Sequence, residues 1–241
     1  MNWLAGALVL AAVLLGGLRV AAAGPEEAES LGRDLYVTGC SSCHGLDGRG
    51  VDDRGPSLEA AGPASTDFYL STGRMPLASS EDWATRRSPV YDEEEIAALV
   101  AYVDTFADGV AIPSVDPDAG DLAAGNVLYS ANCAACHNAA GSGGAVGPDV
   151  IAPDLFASTA LQTAEAVRVG PGAMPRFSEG VLDQDDLNDL VRYVEHLEDP
   201  VDRGGAPLGR VGPVPEGLVA WIVGLGAMVA VAVWIGTRER A

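Results

Sequence analysis

All four cysteines fall into two identical patterns, Cys40-Ser-Ser-Cys43-His44 and Cys133-Ala-Ala-Cys136-His137, 93 residues apart. The doubling extends beyond the motifs. Gly32, Leu35 and Tyr36 precede the first as Gly125, Leu128 and Tyr129 precede the second. Further on, Asp92-Glu-Glu-Glu-Ile-Ala-Ala-Leu-Val-Ala-Tyr-Val103 matches Asp183-Gln-Asp-Asp-Leu-Asn-Asp-Leu-Val-Arg-Tyr-Val194 at an offset of 91. A period of this length means two copies of one small unit, each with its own core. Each copy opens with a Gly-x-x-Leu-Tyr helix that ends at its first cysteine, and the repeated glycine predicts a close helix crossing. Each closes with a helix whose N-cap is Asp92 or Asp183, followed by an acidic first turn that suits the helix dipole. Ile96, Leu99, Val100 and Val103, like Leu187, Leu190, Val191 and Val194, fall at helical spacing and predict the buried stripe.

Units of about 80 residues bury little of their surface and often need a metal or cofactor to complete the core. Aromatic residues are only 6% of this chain, so the need is acute. C-x-x-C-H meets it: two thiols three positions apart can reach the two vinyl groups of one porphyrin, and the following imidazole turns onto the iron. A structural zinc site needs four ligands, and neither unit offers further cysteines or suitably paired histidines. A redox C-x-x-C expects a βαβ context, and a plain disulfide leaves the repeated histidine unexplained. The motifs therefore predict two covalently bound haem c groups, at Cys40, Cys43 and His44 and at Cys133, Cys136 and His137.

A sixth iron ligand should lie downstream. Met75 and Met174 stand at equivalent places, each after a Gly-containing loop and before a proline, 31 residues after His44 and 37 after His137. The other two methionines are the start residue and one in an apolar C-terminal run. His/Met ligation suits one-electron transfer at a raised potential rather than oxygen chemistry. Arg74 and Arg176 flank these methionines, as propionate partners or as plain surface charges. His196, near a helix end, reads as structural.

Residues 1–24 read as an export signal or an N-terminal membrane segment: Trp3 to Leu18 is apolar and Ala21 to Ala23 resembles a cleavage site, but no basic residue leads in. Units at 25–109 and 121–199 flank a linker at 110–120. A Gly/Pro-rich tether, 200–216, leads to 217–236, an uncharged run long enough for a transmembrane helix, with Trp221 and Trp234 near its ends. Arg238 and Arg240 in the tail, 237–241, predict a cytoplasmic C-terminus and extracytoplasmic haem domains on a cell membrane. The net charge of −20 argues against nucleic acid as a partner and leaves open whether the acidity serves solubility or docking.

Each unit resembles a class I cytochrome c domain: opening helix, C-x-x-C-H, loop, Met-Pro, closing helix. The fold implied is mainly α, two tandem class I cytochrome c domains plus a C-terminal transmembrane helix. The whole chain resembles the diheme cytochrome c subunit of the actinobacterial-type respiratory cytochrome bc complex, a menaquinol–cytochrome c reductase. The resemblance is carried by Asp53-Arg-Gly-Pro-Ser-Leu58, Ser71-Thr-Gly-Arg-Met-Pro76, Cys133-Ala-Ala-Cys-His-Asn138, Gly212-Pro-Val-Pro-Glu-Gly217, Trp221 and Trp234-Ile-Gly236. It implies partnership with a Rieske iron–sulfur protein and cytochrome b, and electron delivery to an aa-type haem–copper oxidase in a supercomplex. It also implies an oxidoreductase subunit without an independent catalytic site. A membrane-anchored diheme carrier for another dehydrogenase or reductase is the alternative. A diheme enzyme would need a displaceable axial ligand, which two Met-Pro loops disfavour.

Overall fold

A computed structural model describes residues 25–80, 84–148, 150–200 and 213–238. The N-terminal segment, most of the tether and Arg240 lie outside the described residues. The first half contains α1 (Pro25–Gly39), α2 (Ser41–His44), α3 (Gly62–Ser71) and α4 (Glu93–Asp104). A 3₁₀ turn, Pro117–Ala119, precedes α5 (Leu122–Asn132), α6 (Ala134–His137), α7 (Ala160–Val169) and α8 (Gln184–Glu198). The only strands among the described residues form an antiparallel hairpin, β1 (Gly144–Gly147) with β2 (Val150–Ala152). The final helix is α9 (Pro213–Arg238).

The repeat is built as expected. Opening helix α1 packs on closing helix α4, and α5 packs on α8 in the same way. The conserved spacing of the two glycines has a steric cause. A Cβ on Gly32 would overlap the Ala98 carbonyl, and one on Gly125 would overlap the Asp189 carbonyl. Only hydrogen at these places lets the helix backbones touch. Both closing helices start with a complete capping box. Asp92 accepts from the Glu95 amide at 2.9 Å while Glu95 accepts from the Asp92 amide at 3.0 Å. Asp183 and Asp186 reciprocate likewise at 2.9 and 3.2 Å. Each box satisfies amides that the helix itself leaves unpaired.

Two separate cores result. Tyr36, Leu70, Ile96, Leu99 and Val103 form the first. Tyr129, Ala164, Val167, Leu182, Leu187, Leu190, Val191, Val194 and Leu197 form the second. Tyr36 and Tyr102 stack at 5.3 Å and 52°, and Tyr129 and Tyr193 at 5.3 Å and 51°. The aromatic scarcity is thus met by placing the same tilted pair in each core.

α3 and α7 were not foreseen. They are equivalents, one per half, and they pack on each other, joining the two halves. Helix α9 stands apart. Its segment Gly217–Arg238 has mean hydropathy 2.5 and no burial within the chain, so by length and composition it can cross a membrane. Arg238 lies over the Trp234 ring at 4.3 Å, an aromatic–cation pair suited to a membrane interface.

Candidate functional site

Each half gathers the same groups at one edge of its core. Cys40 and Met75 both border the Tyr36 cluster. Cys133 and Met174 both border the Tyr129 cluster. The first cysteine of each motif and the distant methionine paired with it from the sequence therefore pack against the same core, once per half.

The motif geometry is set by backbone chemistry. The amides of Cys43 and His44 both bond to the Cys40 carbonyl, closing a single helical turn, and Cys136 and His137 bond Cys133 identically. The turn must then stop. Gly45 does this at φ 78° and Asn138 at φ 68°, the two residue types that best tolerate left-handed backbone. The carbonyls there accept from the buried tyrosines: Tyr36 Oη to Gly45 O at 2.8 Å and Tyr129 Oη to Asn138 O at 2.6 Å. Burial first, and then the neighbouring Cys40, pushes the Tyr36 phenol up to about 12, so it remains a donor. Tyr129 is raised by the same causes, burial and then Cys133.

The histidines are oriented for metal binding. His44 Nδ1 lies 2.8 Å from the Pro56 carbonyl and His137 Nδ1 lies 3.0 Å from the Pro153 carbonyl. A carbonyl can only accept, so Nδ1 carries the proton and Nε2 keeps its lone pair, the tautomer a metal-ligating histidine needs. The four cysteines are free thiols, not disulfides. Burial, and then the adjacent cysteine, pushes Cys40 and Cys133 up to about 11. That is the opposite of a redox C-x-x-C, whose reactive thiol is lowered. Among the described residues no three His, Cys, Asp or Glu side chains gather as a metal cluster. The donors present suit haem c: thiols for attachment, an imidazole nitrogen and a thioether for the two axial positions.

The methionines are held differently. The Met75 amide bonds to the Tyr69 carbonyl at the end of α3 at 3.0 Å. The Met174 amide bonds within its own turn, to Pro171 O at 3.1 Å. The segment after Met174 is braced by Arg168, which is buried and donates to the carbonyls of Phe177 at 3.2 Å, Leu182 at 2.6 Å and Asp183 at 3.3 Å. Arg168 was missed from the sequence because a charge on the buried face of α7 hides the helical period there. Of the two flanking arginines, Arg176 is exposed. Arg74 is half-buried over the Phe68 ring at 5.1 Å, with a buried Nη1 that lacks a partner among the described residues. Burial, and then Arg86, lowers its basicity. His196 sits in the last turn of α8 against Tyr193 at 6.3 Å, in keeping with a structural role.

Fold and site together define a tandem cytochrome c. The cytochrome c family model matches residues 30–107, and the model for subunit III of cbb3-type cytochrome c oxidase matches residues 120–194. The cytochrome bc1 complex cytochrome c subunit of Corynebacterium diphtheriae is 36% identical over 98% of this chain and 91% of its own length. Its namesake in Mycobacterium tuberculosis is 40% identical over 95% of this chain and 86% of its own. A cbb3-type oxidase subunit of Azospirillum is 28% identical over 69% of this chain and 61% of its own. The chain belongs to the family of cytochrome bc1 complex cytochrome c subunits. Its cytochrome c domains imply covalent haem c.

Proposed function

We propose that the chain carries two haems c and serves as the electron-transfer subunit of a respiratory quinol–cytochrome c reductase. The first domain, 25–109, would hold one haem through Cys40, Cys43, His44 and Met75. The second, 121–199, would hold the other through Cys133, Cys136, His137 and Met174. The linker 110–120 joins them, and the tether 200–216 leads to the span 217–236 and the tail 237–241. Haem c, when bound, supplies a one-electron iron couple. The residues of the chain do the rest. The four thiols fix the groups covalently, and the Pro56 and Pro153 carbonyls keep His44 and His137 in the ligating tautomer. The Met75 and Met174 thioethers favour the reduced iron and so raise the potential.

In this reading electrons arrive from a Rieske iron–sulfur protein beside cytochrome b. They leave for an aa-type haem–copper oxidase, with the haem domains on the extracytoplasmic face and Arg238 and Arg240 on the cytoplasmic side. The observation that carries it is a C-x-x-C-H cysteine and a methionine against each of two separate cores, in a chain similar to bc1 complex subunits over nearly its whole length. The test is isolation of the complex from membranes through a tag on this chain. The expected result is two haems c per chain by pyridine haemochrome, co-purified Rieske and cytochrome b proteins, and quinol-dependent oxygen consumption without added soluble cytochrome c. A single haem, or activity that requires a soluble carrier, overturns it. Co-purification with a different dehydrogenase would favour the alternative carrier.

A further inference from the structure

The seam between the two domains is made by α3 and α7. Its rim is polar and satisfied. Arg86 donates to Ser158 Oγ at 3.1 Å and to Gln162 Oε1 at 2.9 Å. Gln162 donates to the Ser71 carbonyl at 3.3 Å and hydroxyl at 3.2 Å. Inside the rim lies Glu165, on the face of α7 that also buries Thr163, Ala164, Val167 and Arg168. Glu165 is 0% exposed, and neither carboxyl oxygen has a hydrogen-bond partner among the described residues.

The charged group facing it is Asp67, from α3 across the seam. Among the described residues no cation is seen to offset the pair. Arg168, on the same helix, is committed to three backbone carbonyls. Arg86 is held by Ser158 and Gln162, and Arg74 sits over Phe68. From α8, the residues turned into the core are Leu187, Leu190, Val191, Val194 and Leu197, all uncharged. An ionised carboxylate buried without a donor is strongly disfavoured, and two of them facing each other more so. Each carboxylate is an acceptor only, which explains why no bond closes between them; a proton on either supplies the missing donor. A divalent cation fits poorly, since it requires six or more oxygen ligands, and among the described residues no third acidic side chain joins the pair as a ligand cluster. Asp67 also lines an open cleft of about 500 Å³ with Ser71, Gln162 and, from α4, the carboxylates of Glu93 and Asp104, which gives water a route to the site and adds no cation to it.

We infer that Asp67 and Glu165 form a proton-binding site across the seam, in which one shared proton is the ligand that joins the two cytochrome domains. The inference concerns the seam alone and does not depend on the electron path proposed above. Burial first, and then the charge of Asp67, pushes Glu165 up to about 9 in the closed seam. Burial raises Asp67 too. If the domains part, both carboxyls meet water and ionise near their ordinary values. Separation therefore releases a proton. Closure is unaffected by pH below the ordinary carboxyl range. It weakens by up to about tenfold per pH unit above that range, and levels off once the closed site itself ionises.

The test is hydrogen–deuterium exchange on the full-length holoprotein in detergent, at about pH 6 and about pH 9, corrected for intrinsic exchange. Amides of α3 and α7 should lose protection at the higher pH while those of α1 and α5 hold theirs. Glu165→Gln, which cannot ionise and can donate to Asp67, should keep protection at both. Should that variant lose its haem, Asp67→Asn provides the second readout: without the neighbouring charge, the pH dependence should weaken. Protection independent of pH in the natural chain overturns the proposal. So does unchanged pH dependence in a folded variant, or opening at the lower pH on addition of EDTA.

Discussion

The two cytochrome domains agree in the frame around the cysteines and histidines and differ in how the chain reaches, holds and leaves each methionine. Glycine crossing, tilted tyrosine pair, C-x-x-C-H turn, histidine tautomer and capped closing helix occur in both. The differences are two detours. In the second domain the chain runs longer before its methionine: the β1–β2 hairpin occupies the place where the first has only a Val51–Gly55 bridge. In the first domain it runs longer after its methionine, 17 residues from Met75 to Asp92 against 9 from Met174 to Asp183. That longer loop carries Arg86, which reaches the second domain. Duplication has thus preserved the chemistry-bearing frame, while the loops took on the separate tasks of bracing and joining.

The sharpest way to break this comparison is to remove one attachment site. Because the cores are separate, Cys40→Ala with Cys43→Ala should leave one haem per chain, held by the second domain. Cys133→Ala with Cys136→Ala should leave one in the first. Pyridine haemochrome analysis and the visible spectrum measure both. Loss of all haem from either double variant would show that the domains depend on each other to fold or to be loaded.

Arg168 should separate the domains next most strongly, because it ties together three carbonyls of the second domain. Arg168→Ala leaves three carbonyls, that of Leu182 buried, without their charged donor. Hydrogen bonds to charged groups contribute roughly 1.5–3 kcal/mol, so destabilisation of about 3 kcal/mol is expected. The near-infrared band from sulfur–iron ligation should fall for the second domain alone. An equal loss from both domains would mean that Arg168 supports the seam rather than the Met174 segment.

What was legible in the sequence follows the same division. The repeated frame could be read because each of its residues answers to a local rule: a glycine where helices touch, an aspartate before an acidic turn, a histidine after two spaced thiols. The seam could not. α3 begins Gly-Pro-Ala-Ser-Thr and shows no apolar stripe. α7 has a complete capping box, Thr159 with Gln162, which was a readable start signal. Its buried face, however, includes Glu165 and Arg168, and two charges where apolar residues are expected hide the helical period. Arg86 has no sequence signal either, since its partners lie more than 70 residues away.

The glycine crossings sharpen the comparison from the side of likeness. Gly32→Ala and Gly125→Ala force the same overlap with a backbone carbonyl on the facing helix. Overpacking of this kind costs roughly 1–3 kcal/mol. Each variant should lower the denaturant midpoint of its own domain by a similar amount, followed through the haem absorption of single-site proteins. A large effect at one and none at the other would mean that one helix pair can slide apart, and that the frame is less equal than it looks.

The capping boxes give the smallest expected effect and the finest comparison. Asp92 and Asp183 each accept from the third helical amide at 2.9 Å, so the forward bonds are equal. The return bonds differ: Glu95 reaches the Asp92 amide at 3.0 Å, while the shorter Asp186 reaches the Asp183 amide at 3.2 Å. Replacing an N-cap aspartate by alanine costs about 1 kcal/mol. For a domain of this size that is a fall of roughly 4–8 °C in Tm. Asp92→Ala and Asp183→Ala should therefore lower Tm alike. Replacing the return partner, Glu95→Ala or Asp186→Ala, should cost less, and less in the second domain, where that bond is longer. Calorimetry on the natural chain and the four variants measures all of this. Separate transitions would assign each loss to its domain. A single shared transition that falls equally for all four would show that the seam melts the two domains as one body, and that their likeness is thermodynamic as well as structural.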